Sequence, residues 1–173
     1  MPAPDARDAI AERAAPPGRF EVVASHPWVV VDYAHTPDAL ARTLATARAL
    51  AAARVTVVFG AGGDRDQGKR PELGAVARAA DRIVLTSDNP RSEDPAAIAA
   101  AIRSAVPASH DVWVELDRAR AIERAVLDAG PDDLVVLAGK GHETTQTAGA
   151  RTQVSSDQEL GRAAHARRGR TAS

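Results

Sequence analysis

The fold is decided by the stretch IVLTSDNPRSEDP, residues 83–95, which passes from an apolar, β-branched run into the start of an Ala-rich helical pattern. It predicts a strand, a polar loop and a helix, so the loop lies at the carboxyl end of a strand, where α/β proteins bind their ligands. In this loop Arg91 offers a planar fork to a carboxylate, Asn89 can donate and accept hydrogen bonds, and Pro90 restricts the backbone between them. These residues suit a small amino acid with a second charged group. The alternative is an ordinary strand-to-helix turn, in which a capping residue precedes the proline that begins the helix.

Apolar runs alternate with helical patterns along the rest of the chain. Strands are predicted at residues 20–24, 28–32, 55–59, 83–86, 112–115 and 134–138, and helices at 38–53, 71–80, 95–105 and 118–129. Because the strands are apolar on both faces, we expect an α/β fold with a mostly parallel sheet of about six strands and helices on both faces. A last strand at 152–154, antiparallel beside 134–138, and a helix at 158–168 follow. The predicted domain spans residues 18–168, between a flexible lead at 1–17 and a tail at 169–173.

Polar loops follow the predicted strands and would share one edge of a parallel sheet. They cover residues 32–38, 60–70, 88–91, 117–118 and 139–143. The loops of the opposite edge are plainer. The first edge gathers five cations: Arg65, Lys69, Arg70, Arg91 and Lys140. Turn chemistry alone does not require such a set, and we therefore predict a binding site at this edge.

Composition excludes several classes of function. The 173 residues carry 22 basic and 23 acidic side chains, so the overall balance favours neither nucleic acid nor an acidic membrane surface. There is no cysteine for disulfides or thiolate metal sites, and no apolar run is long enough for a signal peptide or a membrane span. We therefore expect a cytoplasmic protein that binds neither nucleic acid nor membrane.

The loop at residues 60–70 has the spacing of a phosphate-binding P-loop, Gly63-x-x-x-x-Gly68-Lys69. A P-loop places Ser or Thr after the lysine to hold Mg²⁺, whereas Arg70 stands there, and Pro71 is predicted to open the helix without an N–H to give. The resemblance to a P-loop is therefore misleading. Arg65 and Lys69 remain candidate contacts for an anion.

The loop at residues 139–143 complements Arg91. Its two glycines permit close approach of the backbone, and Glu143 could receive an ammonium group. His35 and His142 lie at the same edge, either as hydrogen-bonded loop residues or as ligand contacts. No group of residues has the spacing of a zinc site or of a nucleophile with its base, so no catalytic residue and no metal ligand is assigned.

Taken together, five segments resemble the C-terminal domain of the Mur ligases, in order and in spacing. They are Pro17-Gly18-Arg19, DYAHTPD at 32–38, residues 59–70, Asp88-Asn89-Pro90-Arg91 and GKGHE at 139–143. The resemblance implies a Rossmann-like domain that closes on a central ATPase domain and presents the incoming amino acid. The Asp-Asn-Pro-Arg form resembles the subtype that selects meso-diaminopimelate, whose distal carboxylate Arg91 could hold.

The resemblance also implies site residues and substrates. The amino acid would be bound by Arg65, Asp88, Asn89, Pro90, Arg91, Gly139 and Glu143, and ATP by Arg19, Asp32, Tyr33 and His35. The complete enzyme would add meso-diaminopimelate to UDP-N-acetylmuramoyl-L-alanyl-D-glutamate in peptidoglycan biosynthesis. ATP and Mg²⁺ would be held mainly by the central domain.

The chain departs from this family in extent. It resembles only about the last third of a Mur ligase, without the UDP-sugar-binding and central ATPase domains, and residues 155–159 are less acidic than the family's pattern. We therefore expect no activity from the chain alone, unless a separate chain supplies the other domains. One alternative is a free-standing module that binds diaminopimelate or a muropeptide without turnover. Another is a domain like that of folylpolyglutamate synthetase, against which the 88–91 loop argues.

Overall fold

Eight strands and five helices make up the part of the chain that this computed structural model describes, residues 15–51 and 53–171, with Thr171 described by its backbone alone. The strands are β1 Glu21–Ala24, β2 Trp28–Asp32, β3 Val55–Phe59, β4 Arg82–Leu85, β5 Asp111–Val114, β6 Leu134–Ala138, β7 Thr145–Ala148 and β8 Arg151–Val154. The helices are α1 Pro37–Leu50, α2 Lys69–Ala77, α3 Pro95–Arg103, α4 Arg118–Asp128 and α5 Asp157–Thr171.

Six strands form one sheet in the order β1-β2-β6-β3-β4-β5. Strands β2, β6, β3, β4 and β5 are parallel to their neighbours, and β1 is antiparallel to β2 at one end of the sheet. The predicted six-stranded, mostly parallel sheet is confirmed. The loops that follow the five parallel strands consequently emerge at the same edge, which we call the carboxyl edge.

Helices cover both faces of the sheet, as predicted. Along β6, Leu134 and Val136 pack into one core cluster with α1, α2 and α3, while Val135 and Leu137 pack into a second cluster with α4 and α5. All five residues of β6 are buried, which is why this strand is a continuous apolar run rather than an alternating one. The central strand thus contributes to two hydrophobic layers, one on each face of the sheet.

The predicted pairing of residues 152–154 with 134–138 is wrong. Those residues belong to β8, which pairs antiparallel with β7 in a separate two-stranded hairpin. Strand β6 cannot accept another neighbour because β2 and β3 already occupy its two sides. Strand β7 was not predicted, since its sequence TQTA lacks the apolar residues that mark a core strand.

Other predicted boundaries differ from the observed ones by a few residues. Helix α2 begins at Lys69 rather than at Pro71, which is its third residue. A proline is tolerated there because the N–H groups of the first turn have no partner within the helix. Helix α5 runs to Thr171, past the predicted start of the tail at residue 169. Of the predicted lead at 1–17, residues 1–14 lie outside the described part of the chain.

Candidate amino-acid and nucleotide site

A cleft of about 440 Å³ opens at the carboxyl edge, where β2, β3, β4 and β6 end. The residues that line it are Tyr33, His35, Thr36, Gly60, Ala61, Gly62, Arg65, Asp66, Lys69, Arg70, Leu73, Asp88, Asn89, Arg91, Gly139 and Glu143. Four of the five loops expected at this edge therefore meet in one cleft. Three predicted site residues, Arg19, Asp32 and Pro90, do not line it.

Arg91 is held by the glycine-rich loop opposite. Its Nη1 donates to the carbonyl oxygen of Gly63 at 2.7 Å and lies 3.5 Å from the carbonyl oxygen of Asn89. A Cβ at position 63 would lie 1.8 Å from the carbonyl oxygen of Pro90, so only glycine allows the two loops to pack this closely. Within the described chain, Nη2 and Nε of Arg91 have no hydrogen-bond partner, and these donors remain available to a ligand in the cleft.

Asn89 connects the positive and negative parts of the cleft. Its Nδ2 donates to Asp88 Oδ1 at 3.0 Å and to Glu143 Oε2 at 3.3 Å. Gly139 has φ +110, and a Cβ there would lie 3.0 Å from Asp88 Oδ2, so glycine is required beside the Asp88 carboxylate. The cleft thus carries a guanidinium near the main-chain carbonyl group of Asn89 and a carboxylate near its side-chain amide.

Two of the five cations expected at this edge support the loops. Arg70 is buried and forms a two-point ion pair with Glu93, in which both nitrogen–oxygen distances are 2.8 Å. The Arg70 hydrogen bonds and the Asp64 N–H lower the pKa of Glu93 to about 2. This pair ties the glycine-rich loop to the loop of Arg91. The open cations of the glycine-rich loop are Arg65 and Lys69, both exposed at the cleft.

Lys140 is the second structural cation, since its side chain is completely buried. Its Nζ donates to the carbonyl oxygen of Thr145 and lies 4.0 Å from Glu143 Oε2. Burial lowers the pKa of Lys140, and the charge of Asp88 partly opposes that shift. Lys140 therefore anchors its own loop and is not available in the cleft.

The residues predicted to contact ATP lie together at one side of the cleft. Tyr33 and His35 line it, with their rings in an edge contact at 4.6 Å, and the Arg19 guanidinium lies 5.3 Å from the Tyr33 ring centre. His142 adds a third ring 5.7 Å from that of Tyr33. These rings and the exposed Arg19 fit a planar base and an anion. Their role toward a nucleotide stays a prediction.

The Asp32 carboxylate holds the chain segments that carry these rings and Arg19. Its Oδ1 accepts from the Ala34 N–H at 2.8 Å and from Thr43 Oγ1 at 2.9 Å, and its Oδ2 accepts from the Phe20 N–H at 2.8 Å. The carboxylate therefore joins the start of the domain to the loop of Tyr33. Of its two oxygens, Oδ2 keeps the greater capacity for a further donor.

Sequence reasoning missed a buried ion pair beneath the cleft. Arg118 and Asp157 are almost completely buried, and Nε and Nη2 of Arg118 meet the two carboxylate oxygens at 2.8 and 2.6 Å. Arg118 also donates to the carbonyl oxygens of Ser87 and Ala138, directly before the loops of Asn89 and Gly139. Burial lowers the pKa of Arg118, but the charge and hydrogen bonds of Asp157 outweigh it and the net shift is upward. The only sequence signal was an arginine at the start of a helix, where a basic residue is unfavourable.

Among residues 15–51 and 53–171, no cluster of three or more histidine or acidic side chains could hold a metal ion. No helix in the same ranges has the length and hydropathy needed to cross a membrane.

The fold and cleft define a class, and the chain belongs to it: this is a Mur ligase domain, because the family model described as "Mur ligase, glutamate ligase domain" matches residues 18–141. A UDP-N-acetylmuramoyl-L-alanyl-D-glutamate--2,6-diaminopimelate ligase of Parasynechococcus marenigrum (strain WH8102) is 52% identical in an alignment of 141 positions that covers 77% of this chain and 28% of that protein. A ligase of the same name from Acidovorax sp. (strain JS42) is 48% identical over 175 residues, covering 98% of this chain and 35% of that protein.

A solved structure of a ligase with that name superposes with a TM-score of 0.85 at 38% identity. The superposition covers 94% of this chain and 34% of the other. The chain therefore spans about a third of the length of these relatives.

Proposed function

We propose that this chain is the amino-acid-presenting domain of an ATP-dependent ligase that adds meso-diaminopimelate to UDP-N-acetylmuramoyl-L-alanyl-D-glutamate. In the proposal the cleft at the carboxyl edge binds the distal end of diaminopimelate and leaves the reacting amine to meet an activated carboxylate. ATP supplies the phosphoryl group that activates that carboxylate, and Mg²⁺ belongs to the remainder of the enzyme. A cytoplasmic location is part of the same proposal.

The observation that carries the proposal is the pair of opposite charges around Asn89. Arg91 keeps two donors free at the cleft, and Glu143 lies within hydrogen-bond distance of the Asn89 amide. The distal end of diaminopimelate bears both a carboxylate and an ammonium on one carbon atom, which matches a guanidinium and a carboxylate that line one cleft. Lysine has the ammonium alone and would leave Arg91 without its anion.

On the nucleotide side, the chain supplies orientation. Tyr33, His35 and Arg19 form a ring-and-cation surface, and Asp32 fixes the loop that carries two of them. This surface is suited to hold the base or a phosphate of ATP while the amino acid occupies the other part of the cleft. In this proposal the domain binds and positions both molecules, and no proton transfer is assigned to its side chains.

The test is a chimeric ligase in which this chain replaces the matching segment of the Acidovorax sp. relative, with which it aligns over 98% of its length. We expect the chimera to incorporate meso-diaminopimelate in preference to lysine and glutamate, measured by competition and mass spectrometry of the product. Equal incorporation of lysine would overturn the assigned amino acid. Preference for glutamate would favour the folylpolyglutamate synthetase alternative.

The competing function is a module that binds diaminopimelate without turnover. The chimera separates the two, because a chain that had lost the ability to present its ligand would bind the amino acid and form no product. A folded chimera that binds both ATP and diaminopimelate without ligation would therefore favour the module. A matched chimera with Arg91→Ala is expected to keep ATP binding and lose the preference for diaminopimelate.

A further inference from the structure

The β7–β8 hairpin packs against the loop that carries Asn89 and Arg91, from the side away from the cleft. Thr147 N–H donates to Asn89 Oδ1 at 2.8 Å, and Arg91 N–H donates to the carbonyl oxygen of Thr147 at 3.2 Å. The Gly149 N–H donates to the carbonyl oxygen of Arg91 at 2.6 Å. The main chain of the hairpin thus contacts both Asn89 and Arg91, the two loop residues proposed to bind the ligand.

The first consequence concerns the backbone of Arg91, which has φ +51. This left-handed region is unfavourable for a residue with a Cβ and persists only where the surroundings hold it in place. Both main-chain hydrogen-bonding groups of Arg91 are engaged by the hairpin, which therefore enforces this conformation. Because the side chain departs from that backbone toward Gly63, the hairpin determines where the guanidinium lies.

The second consequence concerns the side-chain amide of Asn89. Its oxygen and nitrogen could exchange places by rotation, and its neighbours decide which orientation is stable. A main-chain N–H can only donate, so Thr147 fixes the amide oxygen toward the hairpin. The Nδ2 group must then point to Asp88 and Glu143. The hairpin thereby makes Asn89 a donor on the side of the acidic residues.

The hairpin is itself anchored to the other ligand-side loop. Buried Lys140 donates to the carbonyl oxygen of Thr145 at the start of β7, and Ser155 N–H donates to that of Thr144 at the base of the hairpin. The two strands are joined by their main-chain ladder and by the Thr147 and Thr152 hydroxyl groups at 3.1 Å. One short element therefore couples the loop of Glu143 to the loop of Arg91.

We infer that the β7–β8 hairpin sets the amino-acid selectivity of the cleft, with Thr147 and Gly149 as positioning residues that hold Asn89 and Arg91 for a ligand bearing an adjacent carboxylate and ammonium. The inference rests on the proposed function for the identity of the ligand. Neither residue lines the cleft, so both act through the loop they hold. The hairpin residues contribute selectivity without touching the amino acid.

The main test compares two changes at one position in the ¹⁵N-labelled 173-residue chain. Thr147→Pro removes the N–H that holds Asn89, whereas Thr147→Val keeps it and loses only the hydroxyl. We expect Thr147→Pro to weaken binding of meso-diaminopimelate by about tenfold and to change lysine binding much less, as measured by NMR titration. Thr147→Val should retain the ratio of the two affinities. If the hairpin has only a structural role, Thr147→Pro will lower the thermal midpoint of unfolding and leave the ratio of the two affinities unchanged.

A second pair of variants, at Gly149, tests the same inference if Thr147→Pro does not fold. Gly149 has φ +57, and a Cβ there would meet nothing within 4 Å. Gly149→Val resists the left-handed conformation and should move the N–H away from Arg91, whereas Gly149→Asn tolerates that conformation and should keep it. We expect the selectivity ratio to fall in the valine variant and to hold in the asparagine variant.

Two ligand-free signals test the inference independently of the proposed function. In Thr147→Pro the Asn89 side-chain amide should exchange faster with solvent, and in Gly149→Val the HN–Hα coupling of Arg91 should depart from its left-handed value. If neither signal moves, the hairpin does not hold the loop and the inference is wrong. If both move while the selectivity ratio stays unchanged, the hairpin holds the loop but does not set selectivity, which also overturns it. An unaltered chain that binds lysine as well as diaminopimelate would instead overturn the proposed amino acid.

Discussion

Both edges of the sheet carry paired charges, but they use them differently. At the amino edge, Arg54 forms ion pairs with Asp133 and Asp128, and Arg82 with Asp111 and Asp128, so the cations are neutralised by carboxylates from neighbouring segments. At the carboxyl edge, Arg65 has no ion pair or hydrogen bond among the described residues, and it lines a cleft. Charge at a sheet edge therefore does not mark a site by itself. A ligand site is indicated by a charged side chain that lines a cleft and has no partner within the described protein, as Arg65 does.

Among the described residues, the carboxyl edge also contains three buried cations, Arg118, Arg70 and Lys140, whereas the buried charge at the amino edge is the Asp133 carboxylate. Arg118 with Asp157, Arg70 with Glu93, and Lys140 lie under or between the loops and bond their main chains. These groups hold the loops in place, and a smaller exposed group faces the cleft. The division explains why five cations at this edge do not make five ligand contacts.

The largest expected effect separates a completely buried ion pair of one edge from a partly exposed pair of the other. Arg118→Met leaves the completely buried Asp157 without its partner, and we expect a loss of about 3–5 kcal/mol in the free energy of unfolding. Arg54→Met, at a side chain that is 31% exposed, should cost less, about 1 kcal/mol, because the buried Asp133 carboxylate keeps the N–H groups of residue 54 and Gly130 as donors. Urea denaturation measures both.

The double variant Arg118→Met with Asp157→Leu is the control for this comparison. Because it removes both charges, it should be more stable than Arg118→Met alone. Equal losses for Arg118→Met and Arg54→Met would show that burial does not distinguish the two edges.

The next effect concerns selectivity. Arg91→Ala should reduce the preference of the chimeric ligase for diaminopimelate over lysine by roughly ten- to hundredfold, since a charge-assisted two-point contact is lost. Arg91→Lys should restore little, because an ammonium cannot reproduce the planar contact. At the amino edge, Arg48→Ala removes an exposed cation paired with Asp81 and should leave the preference unchanged. A change in Arg48→Ala as large as that in Arg91→Ala would contradict a site confined to one edge.

A third test uses acid. Glu93 has a pKa of about 2 in the folded chain against an ordinary value of 4.5, so at intermediate pH the unfolded chain binds the proton more readily. Its contribution to stability is complete above about pH 4.5 and disappears as the pH falls toward 2. Thermal midpoints measured from pH 7 to pH 2 should fall less steeply in Glu93→Gln than in the unaltered chain. Parallel curves would mean that the Arg70–Glu93 pair does not tie the two loops in solution.

The smallest expected effect is on the stability of Arg65→Ala. Because Arg65 is exposed and has no partner among the described residues, the free energy of unfolding should change by no more than about 0.5 kcal/mol. Affinity for diaminopimelate should nevertheless fall in the same variant. A clear loss of stability would show that Arg65 supports the fold as Arg54 does, and the contrast between the two edges would weaken.

The sequence by itself determined the sheet, its covered faces and the edge that carries the cleft. Strands such as Leu134–Ala138 are continuous apolar runs because both of their faces are buried, and this pattern can be recognised without knowing any contact in the fold. Parallel strands then force the loops that follow them to one edge. The short segments around Asp88–Arg91 and Gly139–Glu143 also indicated the Mur ligase family, whose model matches residues 18–141.

Only the tertiary structure decided which charges face a ligand and which hold the loops. Arg70 and Lys140 have the same chemistry as Arg65, yet packing buries them against carboxylate or carbonyl groups. Arg118 and Asp157 are 39 positions apart, so no local pattern pairs them. Strand β7 owes its place to hydrogen bonds with a loop more than 50 residues earlier in the chain. Burial and pairing depend on which distant segments meet, and that information lies in the packing of the whole domain rather than in any short stretch of sequence.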